Sequence, residues 1–363
     1  MRRVYGEKKY NAELFVERTG LTDALNEFFA GEVTLFPMLG EAGQGKTSQL
    51  CYWTESMLDS GKAVLIFGCS DFASATLEAQ LKRVLDFSPR KNIAKILDSV
   101  HDKAVRAGVK IPILFDAINE CIHYAGCENT DEAPLVLFND IRSLLIKPEY
   151  THFKVLFTCR TFTWKTLLQR HVQATDPLVF NASGDEKYNV RGFSSDETRS
   201  AYRIYGRLYQ MTTRFEEIDP RTLIRIKDPL VMKFTCTNYL CRALPESTDE
   251  YTSIALFRKM MSDIGNSYAG NLQLEVVRGV ARYFLEGYLS GNPIDSVSSE
   301  VLREAYSEPK HPLHHLATLI YKKDGITIAY AELLNKAERP ILREGRRAGE
   351  DVANIQFVYE RFL

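Results

Sequence analysis

The stretch that most limits what this chain can become is Gly40-Glu41-Ala42-Gly43-Gln44-Gly45-Lys46-Thr47. It spells G-x-x-x-x-G-K-[ST], a loop that wraps a polyphosphate only when a strand enters it and a helix leaves it. Both flanks fit. Val33–Met38 is apolar and reads as a strand, and Thr47–Leu58 has helical apolar spacing. The glycines let backbone N–H groups and the helix N-terminus point at anionic oxygens. Lys46 is then placed for the β- and γ-phosphates, the Thr47 hydroxyl for Mg²⁺, and Ser48 follows in the first helical turn. An accidental Gly-rich turn is the competing reading, and the order strand, loop, helix argues against it.

Short β-like runs alternate with helical patterns from residue 30 to 190, the signature of an α/β layer with a parallel sheet. The predicted strands are Val33–Met38, Ala63–Phe67, Ile111–Phe115, Lys154–Cys159 and Tyr188–Val190. Apolar residues at helical spacing predict helices over Arg90–Ala107 and Leu135–Leu145, and Gln173–Lys187 reads as a surface loop. Beyond Gly192 the strand signals stop. Ser194 and Glu197 form an S-x-x-E capping box, and Pro229–Cys241 is a further helix. Pro245–Glu250 reads as a linker. Helical patterns follow around Val276–Tyr288, Val301–Tyr306 and Pro312–Tyr321. Two β-like runs, Ile326–Tyr330 and Ile355–Tyr359, then flank a charged loop, Arg343–Asp351. Three helices and a two-stranded wing describe a winged-helix domain. The expected fold class is therefore an α/β P-loop nucleotide-binding domain with a parallel sheet, followed by a small helical domain and a winged-helix domain. Its expected boundaries are 1–30 for a helical lead-in, 31–192, 193–250 and 251–363.

A phosphate loop alone says nucleotide, and hydrolysis needs an acidic partner. The strand Ile111–Phe115 runs into Asp116, which brings a carboxylate to the sheet edge beside the loop, where it can hold Mg²⁺ through water. Glu120, four residues on, is the candidate to orient the attacking water. The next strand ends at Arg160, whose guanidinium can read a γ-phosphate or steady transition-state charge. Pairing with a surface carboxylate or capping a helix is the plainer role for Arg160. Leu14–Phe29 could cover an adenine ring, although packing explains its apolar residues equally well.

Four segments in order resemble the STAND class of signal-transduction ATPases, and within it the NACHT-like branch that includes bacterial antiviral immune proteins. They are GEAGQGKT at Gly40–Thr47, LFDAINE at Leu114–Glu120, VLFTCR at Val155–Arg160 and YNVRGFSSDE at Tyr188–Glu197. Lys227-Asp228-Pro229-Leu230 is similar to that family's proline-bearing segment, which implies that Pro229 packs near the base. A plain AAA+ ATPase usually has Glu directly after the Asp, whereas Ala117 stands here. The resemblance implies a switch that binds ATP or ADP with Mg²⁺, folds over ADP at rest and opens into a homo-oligomer. It also implies fused effector and sensor domains outside this chain and a protein trigger, viral in the antiviral members. In related receptors a winged-helix histidine contacts the β-phosphate. Tyr359 falls at that position here, and His311, His314 and His315 read as surface or helix-end residues.

Charge and cysteine use set further bounds. Lys plus Arg number 46 against 47 Asp plus Glu, so no bulk basic field points to nucleic acid. The 7 scattered cysteines lack a CxxC pair and suit reduced thiols in a cytoplasmic protein. Cys121, His123 and Cys127 are close in sequence but lack a fourth ligand, so zinc is not expected. No run approaches a membrane span. The apolar close Ile355–Leu363, with no polar tail, suggests a piece of a longer protein. Two rival functions share these motifs: an AAA+-like remodelling ATPase or P-loop kinase with continuous turnover, and a winged-helix DNA-binding regulator. The second rests on Arg339, Arg343, Arg346 and Arg347, which Glu338, Glu344, Glu350 and Asp351 dilute.

Overall fold

The computed structural model describes residues 10–69, 75–121, 132–172, 176–180 and 188–245, and isolated positions between these stretches. Further on it describes chiefly 279–287, 297–311, 342–346 and 353–357. The chain forms two compact units, Met1–Leu244 and Pro245–Leu363.

The first unit is built on four parallel strands, β1 (Leu35–Leu39), β2 (Leu65–Gly68), β3 (Ile111–Asp116) and β4 (Phe153–Cys159), in the order β1-β4-β3-β2. Parallel neighbours need crossovers, and helices supply them. A helix α1 (Thr19–Ala30) leads into β1, and the crossovers are α2 (Lys46–Asp59), α3 (Leu77–Val84), α4 (Ile93–Ala107) and α5 (Ala133–Leu145). The strands are apolar on both faces because both are covered. Phe36, Met38, Leu114 and Leu156 pack with Leu25 and Phe28 of α1 and Leu50, Trp53 and Met57 of α2. Their neighbours Leu35, Ile113, Phe115, Val155 and Phe157 face the other way, onto Leu81, Ile96, Leu97, Phe138 and Ile141. Asn92 accepts from the N–H groups of Ala94 and Lys95 at the start of α4, and Gly108 closes it at φ +62°.

The sequence reading places the strands within two residues at each end, with one correction. Tyr188–Val190 is not a regular strand. The edge beside β1 is made of two separate pieces, because the Phe180 N–H donates to the Leu35 carbonyl and the Val190 N–H to the Leu39 carbonyl, both at 2.7 Å. Val179 bridges Leu35 and is buried, so the predicted loop Gln173–Lys187 contributes part of that edge. Residues 181–187 lie outside the described set. Helix α3 has no counterpart among the expectations.

At the opposite, N-terminal edge of the sheet two lysines cap α1, whose own last turn holds no basic residue. Lys110 Nζ donates to the carbonyls of Ala30 at 2.5 Å and Gly31 at 2.7 Å, and Lys154 Nζ to those of Gly31 at 2.6 Å and Val33 at 2.5 Å. Lys154 is fully buried. Burial, reinforced by the Lys110 charge, holds it at about 8, below its usual 10.5. The folded state therefore binds fewer protons than the unfolded chain between those values. Stability should rise as pH climbs from about 8 to about 10.5, and Lys154→Met should remove that slope in urea melts taken across the window.

The unit continues with α6 (Ser195–Leu208), α7 (Pro220–Ile226) and α8 (Pro229–Asn238). The capping box forms as read: the Ser194 N–H donates to Glu197 Oε2 at 2.7 Å and the Glu197 N–H to Ser194 Oγ at 3.2 Å. The last predicted helix ends at Asn238, short of Cys241.

In the second unit, 279–287 are helical, and α9 (Ser299–Ser307) buries Leu302 and Ala305. A three-stranded antiparallel sheet joins β5 (Val297–Ser298), β6 (Leu342–Arg346) and β7 (Ala353–Phe357) in the order β5-β7-β6. Part of the predicted charged loop Arg343–Asp351 is thus strand, paired from Leu342 opposite Phe357 to Arg346 opposite Ala353. Ile326–Tyr330, His315 and Tyr359 lie outside the described residues. His314 Nδ1 is 2.8 Å from the Ala305 carbonyl, and His311 Nδ1 accepts from the Leu313 N–H at 3.1 Å. No helix among the described residues is long and apolar enough to cross a membrane.

Candidate functional site

Strand register decides which side chains meet at the C-terminal edge. Leu39 pairs with Cys159, Phe115 with Phe157 and Gly68 with Asp116. The exits of β1, β3 and β4 therefore converge, bringing Gly40, Asp116 and Arg160 to one edge.

The loop at Gly40–Gly45 needs its glycines for two different reasons. Gly40 passes so close to the next segment that a Cβ there would run into the Val190 carbonyl. Gly43 has φ +79°, and an added Cβ would stand 3.0 Å from Leu230 Cδ2 and 3.1 Å from its Cβ. The start of α8, Pro229-Leu230, is thereby seated on the loop. We expect Gly43→Ala to cost about 1–3 kcal/mol through its left-handed backbone alone. In urea melts, Leu230→Ala on that background should recover the part of the clash due to Cδ2 and leave the Cβ contact and the backbone part.

Lys46 Nζ donates to the carbonyls of Gly40 and Glu41, both at 2.9 Å, which curls the side chain back over the loop. Burial pushes its ammonium below the usual lysine range, and Arg160 adds to that push. Asp116 and Glu120 pull the other way.

Asp116 is buried, 1% exposed. It accepts from Thr47 Oγ1, which lies 3.0 Å from each carboxylate oxygen, and from Thr158 Oγ1 at 2.7 Å. The Thr158 hydroxyl in turn accepts from the Ala117 N–H at 2.6 Å. Ala117 sits at φ +59°, a left-handed conformation costly for a residue with a Cβ. That kink turns the chain at once into the one-turn helix Ile118–Glu120, where the Glu120 N–H donates to the Ala117 carbonyl at 2.8 Å. Asn119 Oδ1 accepts from the Arg160 N–H at 3.1 Å and ties the exits of β3 and β4 together.

The Thr47 hydroxyl and the Asp116 carboxylate are hard oxygen donors on adjacent elements. Mg²⁺ takes one or two such protein ligands and fills its octahedron with phosphate and water, so the pair fits that ion. Among the described residues no group of three or more His, Cys, Asp or Glu could hold a metal. His123 of the Cys121–Cys127 trio lies outside them. Burial pushes the Cys159 thiol up to about 12, which keeps it neutral beside Lys46.

No protein-family model matches the chain, and no curated protein matches it. Solved structures resemble it in fold. A Walker-type ATPase of Pyrococcus abyssi is 15% identical over 88% of this chain and 95% of its own, with a TM-score of 0.44. The ORC2 protein of Aeropyrum pernix, in ADPNP and ADP complexes, is 16% identical over 99% and 95%, with a TM-score of 0.40. The replication initiator DnaA bound to AMPPCP and single-stranded DNA is 17% identical over 76% and 74%, with a TM-score of 0.38. The likeness is one of architecture, and the functional reading rests on the residues of the site.

Every residue that the sequence assigns to the nucleotide and metal site is described, while His123, His315 and Tyr359 are not. The structure gathers Gly40–Ser48, Asp116, Glu120, Arg160 and Pro229 along one edge and its neighbouring helix. Three further residues were not singled out. Thr158 is signalled only by being a hydroxyl in an otherwise apolar strand end. Asn119 lies inside a motif whose spacing assigns it no task. Arg18 precedes the loop by more than a helix. Its guanidinium is buried, donates to the Arg191 carbonyl and, at 3.0 Å, to the Gln44 carbonyl, and lies 4.5 Å from the centre of the Phe193 ring. Burial lowers its proton affinity. Arg18 thus joins the phosphate loop to the chain entering α6.

Proposed function

We propose that this chain is a nucleotide-dependent switch of the STAND type: it binds ATP or ADP with Mg²⁺, hydrolyses ATP slowly and couples the bound nucleotide to self-assembly. The observation that carries the reading is the seat of Leu230 on Gly43. A loop that changes with its ligand changes there the support of a helix outside the sheet.

In this reading the loop N–H groups and Lys46 hold the phosphates, and Thr47 and Asp116 hold Mg²⁺. The ion, when bound, offsets charge developing between the β- and γ-phosphates. Glu120 orients a water and takes its proton as the water oxygen bonds to the γ-phosphorus. The bond to the β-phosphate oxygen breaks, leaving ADP and inorganic phosphate. Arg160 reads the γ-phosphate, and Pro229 borders the base. The 193–250 segment serves as the small helical domain and 251–363 as a winged helix. The antiviral setting, a cytoplasmic location and fused effector and sensor domains belong to the same proposal through the four motifs.

An AAA+-like ATPase with continuous turnover uses the same groups, and the buried Thr47–Asp116 pair serves it equally. Turnover separates the two. We expect ADP retained through purification and steady-state hydrolysis far below ~1 s⁻¹, the low end for kinase-like phosphoryl transfer. Sustained turnover at or above that rate without a trigger overturns the switch in favour of the motor.

A further inference from the structure

Positive and negative residues nearly cancel over the whole chain, 46 against 47, but in the α6–α8 segment they are used differently. Four of its six carboxylates are bound to helix starts. Glu197 accepts from the Ser194 N–H at 2.7 Å, Glu217 from the Arg214 N–H at 2.9 Å, Asp219 from the Arg221 N–H at 2.8 Å and Asp228 from the Leu230 N–H at 2.9 Å. Among the described residues Arg199, Arg203 and Arg207 have no ion pair, unlike Lys82 with Glu78 and Arg142 with Asp176 elsewhere in the chain.

These three arginines form a row. Arg199, Arg203 and Arg207 occupy i, i+4 and i+8 of α6 and are all exposed, opposite the buried face of Thr198, Ala201, Tyr202 and Tyr205. A rise of ~1.5 Å per residue spaces them about 6 Å apart along one line. Arg199 rests over the Phe215 ring, its guanidinium carbon 5.1 Å from the ring centre, which holds that end of the row in place. Asp196, in the first turn, shares this face. Like charges one turn apart oppose helix formation, so the row is not explained by the stability of α6.

We propose that this row docks the sugar–phosphate backbone of a nucleic acid. Regularly repeated anions match a regular row of cations. All three positions carry Arg, whose planar fork pairs two phosphate oxygens at once, where Lys would act only as a point charge. No aromatic or amide side chain interrupts the row to read a base edge, so recognition is of backbone and independent of sequence. Single strand and duplex share this chemistry, and the test distinguishes them.

The full chain is titrated with a labelled twenty-nucleotide oligothymidine and, separately, with a twenty-base-pair duplex, across a range of salt. Three phosphate contacts give a slope of log K against log salt of about −2 on the single strand or about −3 on the duplex. The R199Q/R203Q/R207Q variant should lose at least about tenfold in affinity at low salt and most of that slope. The corresponding triple Lys variant should keep most of both. ATP affinity and the circular dichroism of the Gln variant should match wild type, which separates lost docking from lost folding. Three results overturn the proposal: wild type that binds neither probe at low salt, a Gln variant that binds as well as wild type, or polyglutamate of equal charge competing as well as the oligonucleotide. The last would assign the row to an acidic protein partner.

Discussion

Replacing Lys46 with alanine should weaken ATP binding about 10–100-fold, the loss expected when a charge-assisted contact worth ~1.5–3 kcal/mol disappears. The ammonium is desolvated before any phosphate arrives, and its two acceptors, the Gly40 and Glu41 carbonyls, are neutral. A phosphate anion is a better partner than either, so the exchange favours binding. The loss should grade with the ligand, being large for ATP, smaller for ADP and slight for adenosine. Calorimetric titration of the three ligands reads it directly. Equal affinity of variant and wild type for ATP would remove Lys46 from the site. If assembly follows nucleotide state, the same variant stays at one size in light scattering with or without ATP.

The second large effect is at Asp116. Asp116→Asn keeps the shape but removes the charge and half the acceptor capacity that Thr47 and Thr158 use at 3.0 and 2.7 Å. Hydrolysis should fall about 10²–10³-fold, since metal-based charge stabilisation contributes several kcal/mol. ATP affinity of the wild type should drop when EDTA removes Mg²⁺, and affinity of the variant should respond little to EDTA. A variant that still gains affinity from Mg²⁺ as strongly as wild type would show that the ion is held elsewhere. Because Asp116 is 1% exposed, a thermal melt accompanies both assays, so that lost activity is not confused with lost fold.

The parts of this site that the sequence revealed are those with a fixed local spacing. Gly40–Thr47 is contiguous, and Asp116 and Arg160 are legible because each ends an apolar strand, which forces it to the sheet's C-terminal edge. What stayed hidden depends on register or on distant packing. Thr158 matters only because β4 lies beside β3 with Phe157 opposite Phe115, a pairing no spacing within β4 announces. Arg18 reaches Gln44 across an intervening helix. The broken edge beside β1 reads as a loop and a strand in the sequence because its two pieces, around Val179 and at Val190, are separated by a polar stretch. The sheet of the second unit shows the reverse problem, since Leu342–Arg346 pairs as a strand despite a charged sequence that reads as loop.

Strand β4 has a role beyond positioning. Lys154 near one end is bonded to the carbonyls that follow α1, and Thr158 near the other is bonded to Asp116. The three residues between those anchors, and the four residue steps they make at about 3.3 Å each, put about 13 Å of fully buried backbone between them, with partners on both sides. Such a segment behaves as a ruler: it cannot lengthen, slip by one residue or bow without flipping side chains between two filled faces. Heating or denaturant should therefore leave the spacing between the two sheet edges constant until the whole layer gives way, so that chemistry and fold are lost at one temperature.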